Sequence, residues 1–180
     1  VHGGFAYDRG SLKAKLCVEG NKMMGDLAKE LDFHFIRCGK VLVGNTEEDM
    51  ETLKRTMEQG KDNGATNLEL IDEKRLHELV PAVVGKFAMF SHNSGIVDPF
   101  GYTIALAENA HANGAEYHFG CEVTAIRRED DDTYEITTTK GNFKTRWVVN
   151  CAGLGCGKIS DMLGITGYRI IGSKGDYIIL

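Results

Sequence analysis

Apolar residues recur at helical spacing just after Ser11. Leu12, Leu16, Met23, Leu27 and Leu31 fall on one stripe, and the Ser11 hydroxyl is placed to cap the helix they define. Residues 33–37 and 40–44 read as a short strand pair turning at Cys38-Gly39. Thr46 followed by Glu47, Glu48 and Asp49 has the form of a capping box, with acids at the positive end of a helix that Gly64 stops. Asp72 caps a shorter helix through Leu79, and Pro81 ends it. Residues 86–91 form a strand. Asp98-Pro99 is then an N-cap with proline at the first helical position, opening an alanine-rich helix that closes at Asn113-Gly114.

From Tyr117 the period switches to two. A short strand at 116–119 precedes strands near 121–129, 133–139 and 143–149, joined by turns at Asp130-Asp131-Asp132 and Lys140-Gly141-Asn142. This stretch is a β-meander. A helix from Gly155 to Leu163 follows, and a final strand begins near Tyr177. The chain has no internal repeat and no low-complexity linker. The predicted class is α+β, with mixed α/β character.

Composition narrows the functions available. With 42% hydrophobic and 26% charged residues the chain has the profile of a soluble globular protein. Lys plus Arg total 21 against 26 Asp plus Glu, so no basic excess exists to drive binding to nucleic acid or to an anionic membrane. No run approaches the roughly 18 apolar residues of a membrane span. The 22 glycines against 2 prolines point to tight turns and close backbone approaches. The chain opens Val1-His2-Gly3-Gly4 without Met or a signal-like segment and closes on apolar Ile178-Ile179-Leu180, so it reads as a piece of a longer protein. Cys17, Cys38, Cys121, Cys151 and Cys156 include no C-x-x-C pair and no accompanying His cluster. They read as small buried hydrophobes of a reducing compartment, with no metal site and a cytoplasmic location.

The segment richest in chemistry is Arg146-Trp147-Val148-Val149-Asn150-Cys151-Ala152-Gly153-Leu154-Gly155-Cys156-Gly157, an apolar strand running into a glycine-rich turn that opens a helix. Backbone amides at such a turn suit an anion, and glycines let a phosphate come close. The segment is not G-x-G-x-x-G, because Lys158 stands in the third glycine's place, and no first-strand dinucleotide fingerprint occurs in the chain. Read alone, such a segment is more often just a tight connection than a phosphate contact.

The order of elements changes that reading. A helix ending Asn113-Gly114-Ala115, a strand, a meander and then Val-Val-Asn-Cys-Ala-Gly resembles the second half of the FAD-binding domain in the D-amino-acid-oxidase-like flavoproteins. His2-Gly3-Gly4-Phe5-Ala6-Tyr7 with Gly10-Ser11-Leu12-Lys13-Ala14 is similar to a segment of the flavin-linked glycerol-3-phosphate dehydrogenases and L-2-hydroxyglutarate oxidases. Ser94-Gly95-Ile96-Val97-Asp98-Pro99-Phe100 resembles their entry into the central helix, and Lys174-Gly175-Asp176-Tyr177 their element beside flavin and substrate.

The resemblance implies a mixed substrate-domain sheet over residues 1–97, the distal part of an FAD-binding domain over 98–165, and a return to the substrate domain over 166–180. It implies FAD as cofactor, with Val123 at the adenine, Cys151, Ala152 and Gly153 at the turn, and Gly3 and Gly4 beside the flavin. Cys151 stands where Ala or Thr is usual. His2 is then the acceptor of a substrate hydroxyl proton and Lys174 a holder of substrate anion, with Tyr7, Arg169 and Gly175 lining the substrate. Ala6 precedes Tyr7 where many glycerol-3-phosphate members carry Arg, which leaves Arg9, Lys13, Arg169 and Lys174 as cations for a phosphate. His92 and the run Asp130–Asp132 read as solvated surface. The activity implied is oxidation of an anionic secondary alcohol, glycerol 3-phosphate first and L-2-hydroxyglutarate second. Without the G-x-G-x-x-G half, this stretch alone holds FAD poorly and is inactive. A non-catalytic binding module using the mixed sheet as an interface is the reading from another class. Oligomeric state and electron acceptor leave no trace in the residues.

Overall fold

A computed structural model describes residues 1–167 and 169–176. Its contacts divide the chain into two compact units, Val1–Ala115 and Glu116–Leu180. The class is the mixed helix-and-sheet one that the pattern predicts.

The first unit carries α1 (Leu12–Glu30), β1 (Phe35–Ile36), β2 (Lys40–Gly44), α2 (Glu47–Asp62), β3 (Leu68–Asp72), α3 (Glu73–Leu79), β4 (Phe87–Ser91), β5 (Ile96–Val97) and α4 (Pro99–Ala112). Local signals set the helix starts. Ser11, Thr46, Asp72 and Asp98 each accept a backbone N–H at an N-cap, and Thr46 with Asp49 completes a capping box. β4 is the centre of an antiparallel sheet in the order β2-β4-β3, with Leu42 and Leu70 both opposite Met89. Strand alternation sends Met89 to one face, where it meets Phe5, Val18, Leu53 and Ala65. Ala88 goes to the other face and meets Ile71 and the fully buried Leu76 of α3. One strand thus joins two apolar clusters.

Three expectations change here. Segments 33–37 and 40–44 do not form a hairpin: β1 pairs with β5 and β2 pairs with β4, both antiparallel. Gly39, at φ +77°, turns the chain from one sheet to the other, and phenylalanine 90 lies where its Cβ would be. The α1 stripe is also not the buried one. Leu12, Leu16 and Met23 are 70%, 55% and 63% exposed, while Ala14, Val18, Asn21 and Ala28 face inward. That face is the one on which Gly4 packs, against Val18 and the Ala14 carbonyl. The third change is β3, an alternating strand, Leu68-Glu69-Leu70-Ile71, that fills one edge of the sheet.

The second unit holds β6 (Val123–Arg128), β7 (Tyr134–Thr138) and β8 (Gly141–Thr145) as an antiparallel meander, then a 3-10 turn at Gly153–Gly155 and α5 (Cys156–Asp161). Residues 116–119 are not a strand; the rings of Tyr117 and Phe119 stack instead, 5.7 Å apart. The second hairpin turns one step earlier than expected, because Gly141 at φ +129° already pairs with Thr138. β8 ends at Thr145, so the apolar run Trp147–Val149 is not in a strand, and Trp147 and Val149 are 84% and 82% exposed. No strand among the described residues lies alongside to accept its hydrogen bonds. The acid run at the first hairpin is charge-paired: Lys144 bonds Asp131 at 2.8 Å and Arg128 bonds Asp132 at 2.6 Å. The Lys144 and Thr133 bonds hold the Asp131 carboxyl down at about 2. The final strand expected near Tyr177 lies outside the described residues.

Candidate functional site

The opening loop is fastened at several main-chain points before any side chain projects from it. Gly4, at φ +78°, lies against α1, and Gly3 lies under Ser91 and Ser94. Phe5 enters the core. The Tyr7 carbonyl accepts from Gln59 Nε2 at 2.8 Å and Asn63 Nδ2 at 2.7 Å, both on or at the end of α2. The His2 carbonyl accepts from Asn21 Nδ2 at 3.1 Å. Two anchored residues then meet: His2 Nδ1 lies 2.5 Å from the Tyr7 hydroxyl. Their rings are nearly parallel, 9° apart.

The charges around this pair act in one direction. Lys13 Nζ sits 4.5 Å from the centre of the Tyr7 ring. Partial burial first, and then nearby positive charges including Lys40 and Lys13, push the His2 imidazole below its ordinary value of 6.5. His2 as a whole remains exposed to solvent. Burial, followed by the charge of Cys17 and a hydrogen bond to it, pushes the Tyr7 hydroxyl above its usual 10.0. A neutral imidazole next to a protonated phenol is the state that results near pH 7. Arg9 is committed elsewhere, to Asp62 at 2.7 Å. His92 bonds Glu69 at 2.9 Å and packs on Phe90, away from this cluster in function.

The second unit gathers the other candidates. Val123 begins β6, and its neighbour Glu122 receives Lys158 Nζ from α5 at 3.1 Å, tying the strand to the helix after the glycine turn. Asn150 Nδ2 donates to Cys156 O at 2.9 Å and Asn150 Oδ1 accepts from Ala152 N at 3.3 Å, which shapes that turn. Cys151, Ala152 and Gly153 are exposed, and Gly153 at φ +57° has nothing within 4 Å of where a Cβ would be. Exposed Val149 and Leu154 flank it. An open main-chain turn between apolar side chains fits the flat rings and diphosphate of FAD. Arg169 lines a cavity of about 700 Å³ with Leu154, Gly157, Lys158 and Asp161. Lys174, beside Gly175, is paired with Asp176 at 2.9 Å. His2, Gly3, Gly4 and Tyr7 therefore share one unit, and Val123, Cys151–Gly153, Arg169, Lys174 and Gly175 share the other.

Sequence reasoning missed three residues of the first cluster's support: Asn21, Arg37 and Asn93. Only one signal could have found them, a polar Asn21 on the same helix face as Ala14, Val18 and Ala28.

A glycine-rich turn that follows a β-meander, in a chain that also carries a mixed helix-and-sheet unit, fits the flavin-dependent oxidoreductase class. The family model for FAD-dependent oxidoreductases of the DAO type matches residues 1–180, and the chain belongs to that family. It is 36% identical over 182 residues to a glycerol 3-phosphate dehydrogenase of Caloramator mitchellensis, covering 100% of this chain and 38% of that protein. It is 31% identical over 194 residues to a mitochondrial L-2-hydroxyglutarate dehydrogenase of Nematostella vectensis, covering 100% of this chain and 42% of that one. Among solved structures, L-proline dehydrogenase from P. horikoshii superposes with a TM-score of 0.82 at 25% identity, over 92% of this chain and 44% of the other. The chain thus spans about two fifths of the length of these relatives. Among the described residues no helix is long and apolar enough to cross a membrane.

Proposed function

We propose that the whole protein oxidises a small secondary alcohol bearing an anionic group, with glycerol 3-phosphate as substrate and L-2-hydroxyglutarate as the second choice. The observation that carries this reading is the His2–Tyr7 pair, an exposed imidazole held by its Nδ1 and biased toward its neutral form. Bound FAD supplies the acceptor for the hydride that leaves the carbinol carbon. The residues of this chain do the rest. His2 Nδ1–H donates to the Tyr7 oxygen, and the Tyr7 hydroxyl keeps its own proton. Nε2 then keeps its lone pair, and it takes the substrate's hydroxyl proton as the C–H bond breaks. Lys40 and Lys13 favour this by keeping the ring unprotonated before the substrate arrives.

In this reading Lys174 and Arg169 hold the substrate anion, and Tyr7 and Gly175 line the alcohol. Val123, Cys151, Ala152 and Gly153 hold FAD, with Gly3 and Gly4 keeping the His2 loop close to the flavin. Residues 1–97 serve mainly the substrate side, 98–165 the cofactor, and 166–180 the substrate side again. The 36% identity to a glycerol 3-phosphate dehydrogenase favours the phosphate substrate. The 31% identity to an L-2-hydroxyglutarate dehydrogenase supports the second. The five cysteines are free thiols, which suits the cytoplasm, but none is buried as the sequence predicts: Cys38 and Cys151 are exposed and Cys17, Cys121 and Cys156 half-buried. Steady-state kinetics of the full-length protein on both substrates, side by side, tests the reading. Turnover of glycerol 3-phosphate with the higher kcat/KM is expected; turnover of neither would overturn it.

A further inference from the structure

We propose that Asn21 is a positioning residue for His2: its buried carboxamide, braced by Arg37, fixes the main chain that carries the imidazole. The proposal rests on the reading of His2 as proton acceptor.

Asn21 is 5% exposed on the inward face of α1, among Ala14, Val18 and Ala28. An amide in such a place is costly unless its hydrogen bonds are made. They are made, and to two distant loops. Nδ2 donates to the His2 carbonyl at 3.1 Å and to the Asn93 carbonyl at 2.8 Å. Oδ1 accepts from Arg37 Nη1 at 3.1 Å. Both amide protons and the amide oxygen have partners, so the group's orientation is set.

Arg37 locks the arrangement from the other side. Its Nη1 also donates to the Asn93 carbonyl at 2.9 Å, and its Nη2 donates to the Asn21 carbonyl at 3.2 Å. The guanidinium lies 5.4 Å from the centre of the Phe35 ring. Asn93 is itself held, donating to Thr66 Oγ1 at 3.0 Å and accepting from Asn67 Nδ2 at 3.3 Å. The residue before His2 is tied to the same loop, with Gly95 N donating to the Val1 carbonyl at 3.1 Å. The residue after it, Gly3, is buried under Ser91 and Ser94. The His2 main chain is therefore held before, at and after the residue. With that backbone fixed, one side-chain bond, to Tyr7, suffices to aim the ring. A planar fork on one side and a buried amide on the other is a stiff support, and stiffness is what proton transfer in a short window of distance needs.

The test uses the full-length enzyme loaded with FAD. Asn21→Asp keeps the shape and the acceptor for Arg37 but cannot donate to either carbonyl. It is expected to lower kcat on glycerol 3-phosphate by about 10- to 100-fold with KM nearly unchanged. In a His2→Asn background the same substitution is expected to add almost nothing, because the ring it aims is gone. Arg37→Met, which leaves both Asn21 donors in place, should give a smaller loss that also vanishes in the His2→Asn background. It serves if Asn21→Asp does not fold. Equal losses with and without His2 would overturn the positioning role and leave only a structural one. Wild-type kcat in both variants, with His2→Asn strongly impaired, would overturn it too while the reading of His2 survives. Wild-type kcat in His2→Asn itself would remove both.

Discussion

Gly4 lies so close to Val18 that a Cβ on it would sit 2.5 Å from a Val18 methyl and 3.1 Å from the Val18 nitrogen. The loop carrying His2 can approach α1 only without a side chain there, and φ at Gly4 is +78° as well. Gly4→Ala should therefore destabilise the protein by about 2–4 kcal/mol, from strain and overpacking together. Gly10 has a similar φ of +70° but open space around it, so Gly10→Ala should cost only about 1 kcal/mol. Urea unfolding of the two variants checks the difference. Equal shifts would mean that packing against α1 contributes nothing.

Gly153 gives the opposite case. Its φ is +57° with nothing near a Cβ, so Gly153→Val should cost no more than the backbone strain of a β-branched residue there, about 2–3 kcal/mol. Flavin content of the purified full-length protein should fall far more steeply, since a branched side chain would stand in the open turn. Full flavin content in a stable variant would detach the turn from the cofactor.

The caps were legible because they are local. Ser11, Thr46, Asp72 and Asp98 each announce a helix within four residues, and the structure begins helices at all four. Pairing was harder, since nothing in residues 33–44 shows that Phe35 pairs with Val97 rather than with a near neighbour. The α1 stripe misled for a related reason. Leucines mark the most apolar face, but the helix turns inward the face on which Gly4 packs, with Ala14 and Val18. At the site, His2, Tyr7 and the glycine turn could be singled out from their motifs. The Asn21–Arg37–Asn93 support could not, because its three members are brought together only by the fold.

The pH dependence follows from the direction of the His2 shift. A value below 6.5 in the folded protein means the unfolded chain takes up the proton first as pH falls. The stability His2 contributes is complete above its unfolded value and is lost as pH drops through the folded one. The proposed proton transfer to His2 requires the neutral ring, so on that proposal the acid limb of kcat/KM on glycerol 3-phosphate should lie below pH 6.5. Lys40→Met removes a neighbouring positive charge and should move that limb upward. A limb that stays put or moves down would show that Lys40 does not act on the ring.

Lys174 is exposed and its pairing with Asp176 is a surface one, so on the proposed reading its ammonium can turn to a substrate anion at little cost. In the full-length enzyme Lys174→Met should raise KM about 10-fold, the worth of one charged hydrogen bond, with kcat nearly unchanged. An unchanged KM on both glycerol 3-phosphate and L-2-hydroxyglutarate would move the anion to Arg169.

Anaerobic mixing of the full-length holoenzyme with glycerol 3-phosphate, followed through the flavin absorbance, tests the central claim most directly. The account predicts rapid bleaching in the wild type at pH 7 and a rate about 100-fold or more lower in His2→Asn at equal flavin content, the range a positioned general base contributes. Bleaching at the same rate in His2→Asn, or none in the wild type with either glycerol 3-phosphate or L-2-hydroxyglutarate, would contradict it.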